Sequence, residues 1–157
     1  AIRHGVPVLL NPAPVQHVPI SLLRDVTLLT PNESELAALT GLPTKRKSEV
    51  EAAARRLREL GVKHVLATCG ARGVCWSSAA GPRWFPAPKV KAVDTVGAGD
   101  CFSGTFAATV ADGKSIEQAI RFAITAAAIC VIRPGAQTSM PKRREILRDS
   151  AFAGIDF

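Results

Sequence analysis

The chain has 157 residues, of which 47% are hydrophobic and 21% charged, and its 20 Lys and Arg outnumber 13 Asp and Glu to give a formal net charge of +7. This length and apolar content are sufficient for one domain with a hydrophobic core. The sequence contains no apolar run of the about 18 residues that a membrane span needs, and no signal-peptide pattern, which predicts a cytoplasmic protein without a membrane partner. The positive charges are scattered and lack interleaved aromatic residues, which disfavours a nucleic-acid partner.

Apolar runs in the first half of the chain alternate with helical patterns. Residues 6–10 and 26–29 are continuous apolar runs that predict buried strands, and residues 64–68 predict a third. Residues 48–51 have the composition of a capping box, and the apolar spacing after them predicts an amphipathic helix that ends at Gly61. Such alternation favours a mostly parallel α/β sheet flanked by helices.

The second half of the chain begins with a hairpin pattern and then becomes helical. Residues 73–77 and 83–85 predict two strands joined by a turn. Helices are predicted over 100–111, over 116–131 after a Ser115 cap, and over 142–149. The cysteines lack Cys-x-x-Cys spacing, which predicts buried free thiols at four positions: Cys69, Cys75, Cys101 and Cys130.

The most informative segment is Val-Asp-Thr-Val-Gly-Ala-Gly-Asp-Cys-Phe at residues 93–102, which predicts a strand that leads into a helix. Gly97 and Gly99 permit a tight turn, and the amides and dipole of a helix starting near Asp100 favour a bound anion such as phosphate. Asp100 could then accept a proton from a substrate hydroxyl. The structural alternative is that Asp100 is an N-cap and that the glycines only shape the turn.

The Asp-Thr-x-Gly-Ala-Gly-Asp string resembles the signature of the PfkB-type carbohydrate kinases, the ribokinase family. Four other segments resemble family motifs in the family's order: Asn-Pro-Ala-Pro at 11–14, Thr-Pro-Asn-Glu-Ser-Glu at 30–35, Thr-Cys-Gly-Ala-Arg-Gly at 68–73 and Arg-Pro-Gly-Ala-Gln-Thr-Ser at 133–139. The resemblance implies a ribokinase-like three-layer α/β/α fold. It also implies transfer of the ATP γ-phosphoryl group to a sugar, D-ribose being favoured by Asn-Pro-Ala-Pro, to give ribose 5-phosphate.

The family's sugar-binding Asp, its Gly-Gly-Lys-Gly-x-Asn motif and its β-sheet lid are not recognisable in these residues. Residues 1–157 are therefore expected to be a single C-terminal nucleotide-binding and catalytic part of an incomplete fold, inactive by itself and a homodimer when full length. Two alternatives remain open. One is another kinase of the family, fructokinase-like or adenosine kinase-like, and the other is a truncated, non-catalytic nucleotide-binding or dimerisation module.

The resemblance implies roles for particular residues toward ATP. Nucleotide contacts are implied for Asn32, Thr68, Gly70, Gly73, Gly99 and Ile124, the last at an adenine-stacking position where relatives often carry His or Asn. Glu35 is implied to position hydrated Mg²⁺, which needs few direct protein ligands. From the residues alone, Asn32 could simply cap a helix over 33–39, and Thr68 with the two following glycines could be a strand-to-hairpin turn.

Two further groups of residues are implied by the resemblance. The catalytic group is Gly97, Ala98, Gly99 and Asp100, with the amides stabilising the transition state and Asp100 as the base. A monovalent-cation site for K⁺ is implied from the Asp94 carboxylate, the Ser139 hydroxyl and the carbonyls of Val96, Cys130, Arg133 and Gly135. Asp94 could instead be a strand-end residue satisfied by local amides. Because ligands of parallel sheets collect beyond the carboxyl ends of strands, one edge is expected to gather Asn11, Asn32, Thr68 and Asp94.

Overall fold

A computed structural model describes residues 1–15 and 18–148. These residues form two compact units. Of the described residues, the first unit comprises those within Ala1–Gly70 and Val74–Phe85, and the second comprises Ala71–Gly73 with residues 86–148.

The first unit contains a five-stranded sheet. In chain order, which is also the spatial order, the strands are β1 (Leu9–Leu10), β2 (Leu28–Leu29), β3 (His64–Thr68), β4 (Val74–Ser78) and β5 (Gly81–Phe85). β1, β2 and β3 pair in parallel, whereas β4 pairs antiparallel with both β3 and β5. Only β4 therefore runs in the opposite direction, and the predicted mostly parallel sheet with a terminal hairpin is confirmed.

The first two strands are shorter than the apolar runs that predicted them. The Val8 amide donates to the Thr27 side-chain hydroxyl at 3.0 Å, so the regular ladder begins only after these two residues. The Val26 amide donates to the Leu23 carbonyl at 3.2 Å and closes a short helix. Side-chain and helix-end hydrogen bonds thus take amides that the predicted longer strands would have used.

The helices of the first unit are a 3₁₀ turn (Ile2–His4), α1 (Ile20–Asp25), α2 (Glu33–Thr40) and α3 (Lys47–Glu59). The predicted capping box over residues 48–51 is wrong, because α3 begins earlier. The Glu49 carboxylate accepts the amides of Lys45 and Arg46 at 2.9 and 3.0 Å and thereby starts the helix there. The apolar face of α3 is buried in the core of the unit: Val50, Ala53, Ala54 and Leu57.

The second unit is helical, with α4 (Ala98–Ala111), α5 (Ile116–Val131) and α6 (Arg143–Arg148). The predicted α5 is confirmed, including its Ser115 cap, whose side chain accepts the Gln118 amide at 3.2 Å. A small core joins the three helices through Cys101, Phe122, Ala126, Ile129, Cys130 and Ile146. The helix predicted over 142–149 is confirmed as α6, and residue 149 lies outside the described residues.

The strand predicted before Asp94 is wrong, since described residues 86–97 contain no strand. The amides of Val93 and Asp94 both donate to the Val131 carbonyl, at 2.7 and 3.1 Å. Pro86 and Pro88 supply no amide hydrogen, which works against a regular ladder in this segment. The segment is therefore a loop joined to the end of α5.

All four cysteines are buried and free, as predicted. Among the described residues, none of the helices has the length and apolar character needed to cross a membrane.

Candidate active site

Asn32 begins α2 and is held by its own first turn. Its side-chain oxygen accepts the Glu35 amide at 2.9 Å, while its amide donates to the Glu35 carboxylate at 2.7 Å. The interpretation of Asn32 as a helix cap is therefore confirmed. This reciprocal pair fixes both side chains, and Glu35 is only 9% exposed.

Parallel pairing brings Asn32 beside Thr68. These residues form a bridge beyond the regular ladder, and the Thr68 amide donates to the Pro31 carbonyl at 2.9 Å. Asn11 directly follows β1 at the same edge, because Leu10 is paired with Leu29. Three of the four residues expected at one edge thus lie at the carboxyl ends of β1, β2 and β3. Asp94, the fourth, belongs to the second unit.

The glycine turn after β3 forms as predicted. A 3₁₀ turn spans Gly70–Arg72, and Gly70 and Gly73 have φ of +51° and +89°. A side chain at Gly70 would meet no atom within 4 Å, so the backbone conformation alone requires glycine there. The open space beside this turn leaves room for a ligand to approach its backbone.

The start of α4 differs from the sequence-based expectation in a specific way. Gly97, at φ +79°, is the N-cap, and Asp100 is the third residue of the helix. The alternative that Asp100 is the N-cap is therefore wrong, because the glycine carries the chain into the helix two residues earlier than predicted. The Cys101 amide makes the first helical bond, to the Gly97 carbonyl at 2.8 Å.

The first turn of α4 suits an anion. The Ala98 amide already donates to the Thr95 carbonyl at 3.3 Å, so Gly99 and Asp100 are the next amides of the turn. The N-terminus of a helix attracts negative charge through such amides and its dipole. A side chain at Gly99 would meet no protein atom within 4 Å, and Asp100 is exposed beside it. The turn thus combines amide donors, open space and a carboxylate.

Asp94 joins two loops of the second unit. One carboxylate oxygen accepts the Val96 amide and the other accepts the Gly135 amide, each at 3.0 Å. These bonds, that of Val96 first, lower the pKa of Asp94 because they stabilise its charged form. The alternative of a strand-end residue satisfied by local amides is confirmed only for the Val96 amide, because no strand precedes Asp94 within described residues 86–97 and Gly135 lies 41 residues away. The role of Asp94 as a cation ligand stays a prediction.

The other residues implied for the cation site also have protein partners. The Cys130 carbonyl accepts the Arg133 amide at 3.1 Å, and the Arg133 guanidinium pairs with Glu145 at 2.7 Å. The Ser139 hydroxyl is fully buried and donates to the Ala136 carbonyl at 2.8 Å. The structure therefore gathers these groups around one loop, residues 133–139, which we call the cation loop.

Sequence reasoning gave no role to Ala136, which contacts the start of α4. A side chain added at Gly97 would lie 3.3 Å from both the Cα and the carbonyl oxygen of Ala136. The only available signal was its position inside the Arg-Pro-Gly-Ala-Gln-Thr-Ser segment. Ile124, by contrast, is only 7% exposed and offers little surface for a nucleotide base.

Known proteins that resemble this chain include several ribokinases. The ribokinase of Haemophilus influenzae is 41% identical over 147 residues, which make up 94% of this chain and 48% of that protein. The crystal structure of ribokinase from Thermotoga maritima matches with a TM-score of 0.84 and 42% identity, covering 92% of this chain and 49% of that one. The structure of Arabidopsis thaliana ribokinase complexed with ribose and ATP matches with a TM-score of 0.87 and 39% identity. The match covers 92% of this chain and 47% of that one.

These likenesses confirm the ribokinase-like α/β fold, and the chain spans about half the length of the curated relatives it matches. The model of the pfkB family carbohydrate kinases matches residues 1–143. The chain therefore belongs to the pfkB family of carbohydrate kinases.

Proposed function

We propose that the protein containing this chain is an ATP-dependent kinase that transfers the γ-phosphoryl group of ATP to ribose and forms ribose 5-phosphate. The observation that carries the proposal is the first turn of α4, where Asp100 stands next to Gly99 at an N-terminus with open space. The structure of the Arabidopsis thaliana ribokinase complexed with ribose and ATP supports these two substrates.

In the proposed reaction, Asp100 accepts the proton of the sugar hydroxyl as its oxygen bonds to the γ-phosphorus and the bond to the ADP oxygen breaks. Negative charge on the transferring group is stabilised by the amides of Gly99 and Asp100. One such preorganised donor is worth about 3 kcal/mol of barrier lowering. The Ala98 amide, which donates to the Thr95 carbonyl at 3.3 Å, is proposed to contribute with them.

We assign the nucleotide to the strand-end residues Asn32 and Thr68 and to the glycine turn containing Gly70 and Gly73. Described residues contain no cluster of three or more His, Cys, Asp or Glu side chains that could hold a metal. Mg²⁺ would thus rely on water, phosphate oxygens and Glu35, which fits an ion that retains most of its waters. When bound, it neutralises charge on the phosphates.

The cation loop and the Asp94 carboxylate are proposed to hold K⁺. A carboxylate surrounded by backbone carbonyls is a donor set suited to a monovalent cation, and the implied set is Asp94, Val96, Cys130, Arg133, Gly135 and Ser139. When bound, the ion supplies a fixed positive charge close to this loop.

These residues are proposed to act as the C-terminal nucleotide-binding and catalytic part of a longer, cytoplasmic and homodimeric enzyme. Ribose is favoured over other acceptors by the Asn-Pro-Ala-Pro segment. The alternatives of a fructokinase-like or adenosine kinase-like acceptor, or of a non-catalytic module, are separated by ADP release from the whole protein. ADP release that depends on sugar and is greatest with ribose supports the proposal. ADP release only with fructose or adenosine contradicts it, and so does the absence of release with every acceptor tested.

The phosphate site itself can be tested with a matched pair of glycines in α4. Gly99 and Gly104 are both exposed, both helical and both free of protein atoms within 4 Å of an added side chain. Gly99→Ala is expected to weaken binding of a Mg-ATP analogue at least fivefold in calorimetric titration, because a methyl group would occupy the phosphate's space. Gly104→Ala should leave the affinity unchanged. Equal effects of the two substitutions would contradict a phosphate site at this turn.

A further inference from the structure

Three buried polar side chains form a network through the core of the second unit. Cys101 follows Asp100 in α4, Cys130 lies near the end of α5, and Ser139 ends the cation loop. Their exposed fractions are 5%, 1% and 0%. Cys130 Sγ lies 3.0 Å from Ser139 Oγ, and the Cys101 thiol is hydrogen-bonded to Cys130.

The two hydrogen bonds of the Ser139 hydroxyl have one consistent direction. The Ser139 hydroxyl donates its single proton to the Ala136 carbonyl, so Cys130 must donate its thiol proton to Ser139. Cys101 lies in the same small buried core as Cys130.

Both ends of this network of side chains lie at the start of α4. At one end, Cys101 is the next residue after the proposed base and makes the first helical hydrogen bond. At the other end, Ala136 packs against Gly97, the N-cap of the same helix. The thiol and hydroxyl groups therefore link the cation loop to the anion-binding turn through the core.

We propose that Cys101, Cys130 and Ser139 are positioning residues that hold the cation loop against the first turn of α4 and so keep its amides in place for phosphate. The inference rests on the proposed function, because it assigns a phosphate to this turn. None of the three side chains needs to touch the ligand. Their role is to fix Ala136, and through it Gly97, in the arrangement that the turn requires.

Two substitutions of Cys130 separate this role from simple packing. Cys130→Ser retains a donor to Ser139, whereas Cys130→Ala removes it, and both side chains are smaller than the native one. Cys75→Ala in the first unit is the control for loss of a buried thiol, because Cys75 is fully buried and burial also raises its pKa to about 12. All three are to be made in the whole protein that contains this chain.

The affinity for a Mg-ATP analogue and the thermal unfolding midpoint are to be measured for each variant. We expect Cys130→Ala to weaken binding at least fivefold and Cys130→Ser to restore most of that loss. Cys75→Ala should lower the unfolding midpoint without changing the affinity. Equal affinity in Cys130→Ala and Cys130→Ser, or a loss in Cys75→Ala as large as in Cys130→Ala, overturns the proposal.

Amide hydrogen exchange provides a readout that does not depend on the nucleotide. In Cys130→Ala, but not in Cys130→Ser, exchange should become faster both at the first turn of α4 and in residues 133–139. Unchanged exchange at these two segments overturns the linkage. If the unmodified whole protein binds no Mg-ATP analogue, the proposed phosphate function fails, and the linkage of the two segments is then decided by exchange alone.

Discussion

The two units hold their candidate residues in different ways. In the first unit, Asn32 and Thr68 are placed by strand pairing, which follows from the backbone and is repeated along the sheet. In the second unit, Asp94 and Ser139 are placed by individual side-chain hydrogen bonds between loops. Pairing of strands tolerates changes of side chain, whereas the loop contacts depend on particular atoms. Substitutions in the second unit should therefore have the larger and more specific consequences.

The largest expected effect is that of Asp100→Asn in the whole protein. The amide side chain preserves the shape of the turn but cannot accept the proton, so kcat should fall by about 10²- to 10⁴-fold. The affinity for the nucleotide should change little. Steady-state kinetics combined with nucleotide titration checks both parts, and a nearly normal kcat would remove Asp100 from the role of base.

Asp94→Ala should abolish any activation by K⁺ and lower stability. The substitution removes the carboxylate of the proposed cation site and leaves the amides of Val96 and Gly135 without their shared acceptor. Rates compared in K⁺ and Na⁺ at one ionic strength test the first consequence, and thermal unfolding tests the second. A whole protein whose rate is the same in both salts would contradict the cation site, while leaving the loop contact intact.

The same carboxylate gives a pH dependence with a defined sign. Because the pKa of Asp94 is lower in the folded chain than its ordinary value of 3.8, its contribution to stability is present above that value. The contribution should be lost as the pH falls below it, and Asp94→Ala should lose less stability over that acidic range than the unmodified chain. Denaturant unfolding between pH 5 and the acid transition measures the difference.

A pair of glycines compares the two units directly. Gly41 in the first unit and Gly97 in the second both have positive φ, +71° and +79°. An added side chain meets nothing at Gly41 but lies 3.3 Å from Ala136 at Gly97. Each substitution to Ala should lower the free energy of unfolding by about 1 to 2 kcal/mol, because a residue with a side chain is disfavoured in the left-handed conformation. The loss at Gly97 should be larger. If Gly41→Ala and Gly97→Ala lower the free energy of unfolding by the same amount, the contact with Ala136 is loose.

The smallest expected effect belongs to His64 in the first unit. Burial, followed by the charges of Arg58 and Lys63, lowers its pKa, and its ring accepts the Trp76 indole N–H at 3.3 Å. Since the unfolded chain then binds more protons, stability should decline as the pH falls below 6.5. His64→Gln should reduce this slope in unfolding experiments between pH 7 and 5. An unchanged slope would assign the pH dependence to other groups.

Elements with strong local signals were predictable from the sequence. β3 and α5 have the predicted bounds, since a continuous apolar run and a Ser115–Gln118 capping box are determined by neighbouring residues. The bounds of β1 and β2 were not predictable. Their amides are taken by contacts such as that between Val8 and Thr27, which are 19 residues apart and meet only after folding.

By itself the sequence determined the chemistry of the candidate site: a glycine turn, a helix start and a carboxylate in the order Gly97, Gly99, Asp100. These features depend on spacing over a few residues, where backbone freedom and helix geometry leave few choices. Only the tertiary structure decided that the Asp94 carboxylate accepts the amide of Gly135, 41 residues away, and that Ala136 packs against Gly97. Such contacts form only when α4 and α5 pack together, because no local pattern encodes which distant loop returns to the start of a helix.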